Sequence, residues 1–144
     1  MNKIRVSTNF YAHELLAPEY FTPGLDPTWY ITEFLYKVPQ QLRDHFGKTV
    51  TINNWADGGS FKYRGFRPFG CGVGAEKGMH YIGLAIDINI DGLTQEEILN
   101  EVVKNRQKFP LLTSYEDLGF TKGWNHFDGR NIVYKENLFC VKPR

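Results

Sequence analysis

Little in this chain argues for covalent staples, a membrane anchor or a polyanionic partner. It has only two cysteines, Cys71 and Cys140, in 144 residues. They form no C-x-x-C metal or redox pattern. They are expected either as one disulfide, if the protein matures outside the cytoplasm, or as two free thiols. Charge of either sign is scarce in net terms. The 17 Lys and Arg face 16 Asp and Glu, for a net charge of +1, so no nucleic-acid partner is expected, because that would need a clustered basic face. No apolar run approaches the ~20 residues of a membrane span. The start of the chain, Met1-Asn2-Lys3-Ile4-Arg5-Val6-Ser7, lacks the apolar stretch of a secretory signal. No signal peptide and no membrane span are expected, and a substrate beyond the membrane would have to be reached by another route of delivery.

What is present describes a folded domain. Hydrophobic residues make up 42% and charged residues 23%, the balance of a globular chain rather than a disordered one. The length fits a single domain over residues 1–144, with no repeat of fixed period. Aromatic residues reach 15%. They suit a core and strand pairs built from rings, or a ring-lined groove for a sugar or peptide.

Periodicity places the elements. Asn9 to Leu16 reads as a short helix. Pro27 to Phe46 carries Ile31, Phe34, Leu35, Val38, Leu42 and Phe46 near a 3.6-residue period, with a kink or a division into two helices expected at Pro39 and Gly47 as its C-cap. Thr49 to Asn53 and Leu84 to Ile90 read as strands. Between them, Asp57 to Lys77 is a long glycine-rich stretch of the kind that is functional or disordered. Thr94-Gln95-Glu96-Glu97 is a capping box opening a helix, which Pro110 stops. Further strands are expected near Leu111 to Tyr115, Trp124 to Asp128, Ile132 to Tyr134 and Leu138 to Val141. The order favours an α+β domain with a mostly antiparallel sheet and helices packed on one side.

The chemistry concentrates in two segments. In Leu84 to Ile90 alternation puts Leu84, Ile86, Ile88 and Ile90 on one face and Ala85, Asp87 and Asn89 on the other. A buried Asp87 needs a cation or donors. His80 lies seven residues earlier, ~23 Å away along a continuous strand at ~3.3 Å per residue, so it meets Asp87 only if the chain bends, and Gly83 makes that bend easy. Downstream, Trp124, His126 and Asp128 share a strand face. If that strand pairs beside Leu84 to Ile90, then His80, Asp87 and His126 supply two imidazoles and a carboxylate. That is the donor set of a catalytic Zn²⁺ site with an open position for water. His13 and His45 are expected as ordinary surface or satisfied histidines, and Asp128, before Gly129, could be a turn residue.

The pattern H-x-x-G-x-A-x-D (His80, Gly83, Ala85, Asp87) followed by W-x-H-x-D (Trp124, His126, Asp128) resembles the zinc D-Ala-D-Ala carboxypeptidase family, the VanY-like and VanX-like peptidases. Asn53-Asn54-Trp55, Gly58-Gly59, Arg64-Gly65 and Arg67 resemble the short forms encoded by bacteriophages and prophages. The likeness runs from about Tyr11 to Asp128. It implies a Hedgehog/DD-peptidase fold, zinc on His80, Asp87 and His126, and hydrolysis of peptide bonds in the peptidoglycan stem or cross-bridge. It implies a substrate- or oxyanion-binding arginine, best matched by Arg64 and next by Arg67, whose planar fork suits a carboxylate. Trp124 and Asp128 are expected beside the substrate, Asp128 alternatively orienting His126 or the arginine. The partner would be the peptidoglycan stem peptide, with virion proteins as further partners, and the place of action the cell wall or periplasm, reached by lysis or in a phage virion.

Two positions depart from the family. Gly78 stands where serine is usual. Gly123 stands where many members carry the general base, three residues before the second histidine. Glu116 resembles a glutamate placed before W-x-H in the phage forms, and Glu116 or Asp117 is expected to serve as base, unless both are ordinary loop acids. The missing acid keeps a second expectation alongside the first: a catalytically inactive cell-wall-binding or virion structural protein on the same fold.

Overall fold

The computed structural model describes residues 3–75, 77–132 and 137–143. It is a mixed α+β structure. A five-stranded sheet in the order β1-β2-β4-β3-β5 is built from β1 (Val50–Thr51), β2 (Ala85–Ile90), β3 (Ser114–Glu116), β4 (Asn125–Asp128) and β5 (Phe139–Val141). β1 pairs antiparallel with β2, β2 with β4, and β4 with β3; only β3 and β5 run parallel. The helices are α1 (Ala12–Leu15), α2 (Glu33–Phe46) and α3 (Gln95–Lys104).

The alternation expected for β2 is realised. Ile86, Ile88 and Ile90 join Phe127 of β4 in one buried cluster with Phe34, Leu35, Val38 and Leu42 of α2 and Ile98 and Val102 of α3. The helices therefore cover the apolar sheet face, and Asp87 and His126 project from the other. α3 opens on the capping box read from the sequence: the Thr94 hydroxyl accepts from Glu97 N at 3.2 Å and the Glu97 carboxylate accepts from Thr94 N at 2.8 Å.

The break expected at Pro39 lies elsewhere. Pro27–Tyr30 forms a separate 3₁₀ turn, and α2 begins afresh at Glu33 and runs unbroken through Pro39. The new start is set at Thr32, whose hydroxyl accepts from Leu35 N at 3.2 Å while donating to Gly83 O at 2.6 Å. Pro39 is itself buried with the apolar stripe of α2, and that burial offsets the hydrogen bond it cannot make. The first helix is shorter than its periodicity suggests, covering only Ala12–Leu15, with Tyr11 N donating to Glu14 at 2.8 Å. The helix before Pro110 ends at Lys104, and a 3₁₀ turn over Arg106–Lys108 follows. The strand expected over Ile132 to Tyr134 lies largely outside the described residues. Both cysteines are free thiols, Cys71 beside the Tyr81 hydroxyl and Cys140 beside the Asp117 carboxylate. Among the described residues no helix is long and apolar enough to cross a membrane.

Candidate metal centre

Two backbone features bring His80 to Asp87. His80 sits in a 3₁₀ turn, Met79–Ile82, closed by Gly83 with φ +71°. That left-handed conformation costs glycine little, and a β-carbon there would come within 2.6 Å of the Thr32 side chain and 2.5 Å of Phe66. The turn reverses the chain into β2 and cancels the odd spacing between histidine and aspartate. The second feature is the glycine-rich stretch, which lies along β2: Asp87 N donates to Arg64 O at 2.8 Å, and Arg67 N to His80 O at 3.1 Å. Gly65 passes so close to Leu15 that a β-carbon would lie 2.0 Å from its carbonyl oxygen. That approach presents the Gly65 carbonyl to His80 Nδ1 at 2.8 Å.

The register of β2 and β4 completes the cluster. Asp87 stands opposite His126, and Ala85 opposite Asp128. His126 Nδ1 is 2.8 Å from Asp87 Oδ1, and His80 Nε2 is 3.2 Å from the same oxygen and 3.3 Å from His126 Nδ1. All three side chains are buried or nearly so. They form a group that could hold a metal ion.

The outer contacts set the protonation of each ring. A backbone carbonyl only accepts, so His80 Nδ1 carries the hydrogen and Nε2 presents a lone pair. His126 Nε2 faces Asp128 Oδ2 at 3.1 Å, and a carboxylate that also receives Ser114 and Arg130 can only accept, so His126 offers Nδ1. Asp87 Oδ2 is taken by Arg67 Nη2 at 2.9 Å, which leaves Oδ1 turned inward. With both rings neutral, three lone-pair-bearing atoms converge, an arrangement that a cation or a proton on His126 Nδ1 relieves. Their mutual distances fit it: a tetrahedral ion with arms of ~2.0–2.1 Å has ligand–ligand edges of about 3.3 Å. The residues present therefore fit a zinc-like ion.

The electrostatics agree. Burial lowers the His80 imidazole below its ordinary pKa and keeps it neutral. Burial would raise the Asp87 carboxyl, but His80 and His126 hold it below the usual carboxylate range. Burial would lower His126, yet its hydrogen bonds to Asp128 and Asp87 push it up to about 9. A proton on Nδ1 thus occupies the same focus a cation would.

The other residues singled out from the sequence divide by location. Alternation along β3 turns Ser114 and Glu116 to the face of His126 and Asp128, and Glu116 Oε2 lies 3.9 Å from His126 Nδ1. Burial raises the Glu116 carboxyl above its usual pKa. Asp117 follows the strand, and its carboxylate accepts from Gly119 N at 2.9 Å within the next turn. Arg64 stacks over the Phe61 ring at 3.5 Å, lies 5.9 Å from the Trp124 ring, and donates to Asn89 at 2.5 Å. Arg64, Phe61 and Trp124 line, with Lys62, Tyr63 and Val73, a pocket of about 360 Å³ that reaches Asp87. Arg67 also reaches it, but its fork is spent on Asp87 and on the carbonyl of Tyr63 at 2.5 Å. Asp128, fully buried, touches His126 rather than the pocket. Of the other histidines, His13 is buried against Trp55 and His45 pairs with Glu101 at 2.9 Å.

Sequence reasoning missed the supports. Arg130 and Ser114 around Asp128 carry no motif of their own. Asn53 and Gly65, read only as parts of the segments Asn53-Asn54-Trp55 and Arg64-Gly65, support the site by contacts the sequence does not state: the Asn53 side chain bridges Arg64 N at 2.9 Å and Leu16 O at 3.1 Å, and the Gly65 carbonyl stands behind His80. Only Ser114 had a readable signal, its even spacing from Glu116. Compared with protein-family models, curated proteins and solved structures, the chain matches none.

Proposed function

We propose that this protein is a zinc metallopeptidase that hydrolyses peptide bonds in bacterial peptidoglycan, a D-Ala-D-Ala carboxypeptidase or cell-wall endopeptidase of the phage-derived type, on a Hedgehog/DD-peptidase fold. The observation that carries this reading is the convergence of His80 Nε2, Asp87 Oδ1 and His126 Nδ1 beside a basic, ring-lined pocket. His80, Asp87 and His126 would hold the ion. Zinc in such a site supplies a lowered pKa for water and Lewis-acid polarisation of a carbonyl.

The protein's own residues do the rest. Glu116, on the inner face of β3 and raised by burial, takes the proton of the attacking water and passes it to the departing amine. Its place beside His126 supports this role over Asp117, which is tied into the following turn. Arg64, held flat against Phe61, presents a guanidinium to a substrate carboxylate or to charge developing on the carbonyl oxygen. Trp124, on the other side of Arg64, gives the peptide a wall. Arg67 holds Asp87 rather than substrate.

Metal analysis of the purified protein and of His80→Ala, together with release of D-alanine or peptide from purified peptidoglycan, tests the proposal. Stoichiometric zinc lost in His80→Ala, with product released by the wild type, is the expected result. Protein that binds sacculi, takes up zinc and releases nothing would leave the inactive cell-wall-binding or virion role in its place.

A further inference from the structure

Asp128 is the most heavily hydrogen-bonded carboxylate near the site, and it touches no part of the pocket. It is wholly buried. Its Oδ1 accepts from the Ser114 hydroxyl, from Arg130 N at 3.1 Å and from Arg130 Nε at 2.8 Å. Its Oδ2 accepts from Arg130 Nη2 at 2.6 Å and from His126 Nε2 at 3.1 Å. Arg130 therefore grips both oxygens with the two-pronged geometry that fixes a carboxylate in plane as well as in position.

The consequence falls on His126. An imidazole can swing about its Cβ–Cγ bond and can carry its hydrogen on either nitrogen. A carboxylate held by four other donors leaves Nε2 a single role, as the fifth donor in a fixed direction. With Nε2–H so fixed, the ring plane is fixed, and Nδ1 faces Asp87 at 2.8 Å and His80 at 3.3 Å, with Glu116 farther off at 3.9 Å. Arg130 also neutralises a charge that would otherwise be buried deep beside the site. Its side chain is 30% exposed, so it is reached from solvent while acting on an interior ligand.

We propose that Arg130 is a positioning residue for the metal centre, acting through Asp128, with Ser114 as its lesser partner, to hold His126 with Nδ1 turned to His80 and Asp87. This rests on the metal-centre reading above. Outer contacts of this kind are worth about 10–100-fold in metal affinity, so Arg130→Gln should weaken zinc binding by that factor. Arg130→Lys keeps one charged donor and should recover part of the loss.

The test is zinc affinity by competition with a chromophoric chelator for the full-length wild type, Arg130→Gln, Arg130→Lys and Ser114→Ala. It is joined to the ring ¹⁵N spectrum of His126 in the zinc-loaded proteins. The expected result is graded affinity, with wild type tightest and Arg130→Gln weakest, and a His126 Nε2–H signal that shifts or broadens in Arg130→Gln. If Arg130→Gln does not fold, Ser114→Ala carries the test, since it removes a donor to the same carboxylate and opens little space. Wild-type affinity and an unchanged His126 spectrum in whichever variant folds would overturn the positioning role, even if the variant melts earlier. A wild type that takes up no zinc would instead overturn the metal-centre reading on which the role depends.

Discussion

Asp87 and His126 face each other across the β2–β4 ladder, with Oδ1 and Nδ1 2.8 Å apart and the second aspartate oxygen held by Arg67 at 2.9 Å. One carboxylate thus serves two masters, an inward ligand focus and an outward ion pair. Asp87→Ala strips both at once and leaves the Arg67 guanidinium, 11% exposed, without its counter-charge. Breaking a buried pair by removing one partner costs about 3–5 kcal/mol. Urea denaturation of the metal-free variant should show a loss of that order, and metal analysis should show no bound zinc.

Glu116 and Asp117 are adjacent in sequence and different in surroundings. Glu116→Gln should lower peptidoglycan hydrolysis by ~10²–10⁴-fold, the usual worth of a general acid–base, while zinc content stays at the wild-type level. Asp117→Asn should leave hydrolysis within a few-fold. Equal losses from both, or none from Glu116→Gln, would remove Glu116 from the mechanism; turnover and metal content on the same preparations decide it.

The elevated His126 pKa gives a pH dependence with a definite sign. A group whose pKa is raised by folding stabilises the native state fully below its unfolded value, ~6.5 for histidine, and loses that contribution as pH climbs through the folded value of about 9. In chelator, the melting temperature should therefore fall across that interval as far as His126 governs it. With zinc present the trend should run the other way, because the ion competes with the same proton. Thermal melts at a series of pH values, with and without chelator, would show the two curves diverge as pH rises.

Gly83→Ala places a β-carbon at φ +71°, against Thr32 and Phe66. The conformation alone costs of order 1–3 kcal/mol for a non-glycine residue, and the contacts add to it. Since Gly83 O also receives the Thr32 hydroxyl that caps α2, the variant should lose both stability and zinc affinity. Calorimetry and chelator competition would measure the two together; stability and affinity both at wild-type values would deny the turn its role.

The residues of the candidate centre were legible in the sequence for a physical reason. Strand alternation is a local rule, and it placed Asp87, His126 and Asp128 on the right faces before any pairing was known. The bend at Gly83 followed from the odd spacing of His80. Pro39 misled because local propensity yielded to burial: the division falls at Thr32, which caps the start of α2 and contacts Gly83, 51 residues distant. Glu116 could be placed no better than Asp117 until the end of β3 was fixed, because a one-residue shift in a strand exchanges its faces. Arg130 was silent altogether, since what distinguishes it is a partner two residues away whose own surroundings are tertiary.

The distance along the chain between the converging groups carries a last consequence. His80 and His126 meet across 46 residues, and Asp87 and His126 across 39, so the cluster exists only where β2 and β4 are paired. A partly ordered chain offers an ion scattered donors and little else. Zinc would then act as a ratchet on the finished sheet. At a free concentration one hundred times its dissociation constant it adds about 2.7 kcal/mol to the native state. Removing the ion would be felt as faster amide exchange along β2 and β4, not merely at three side chains.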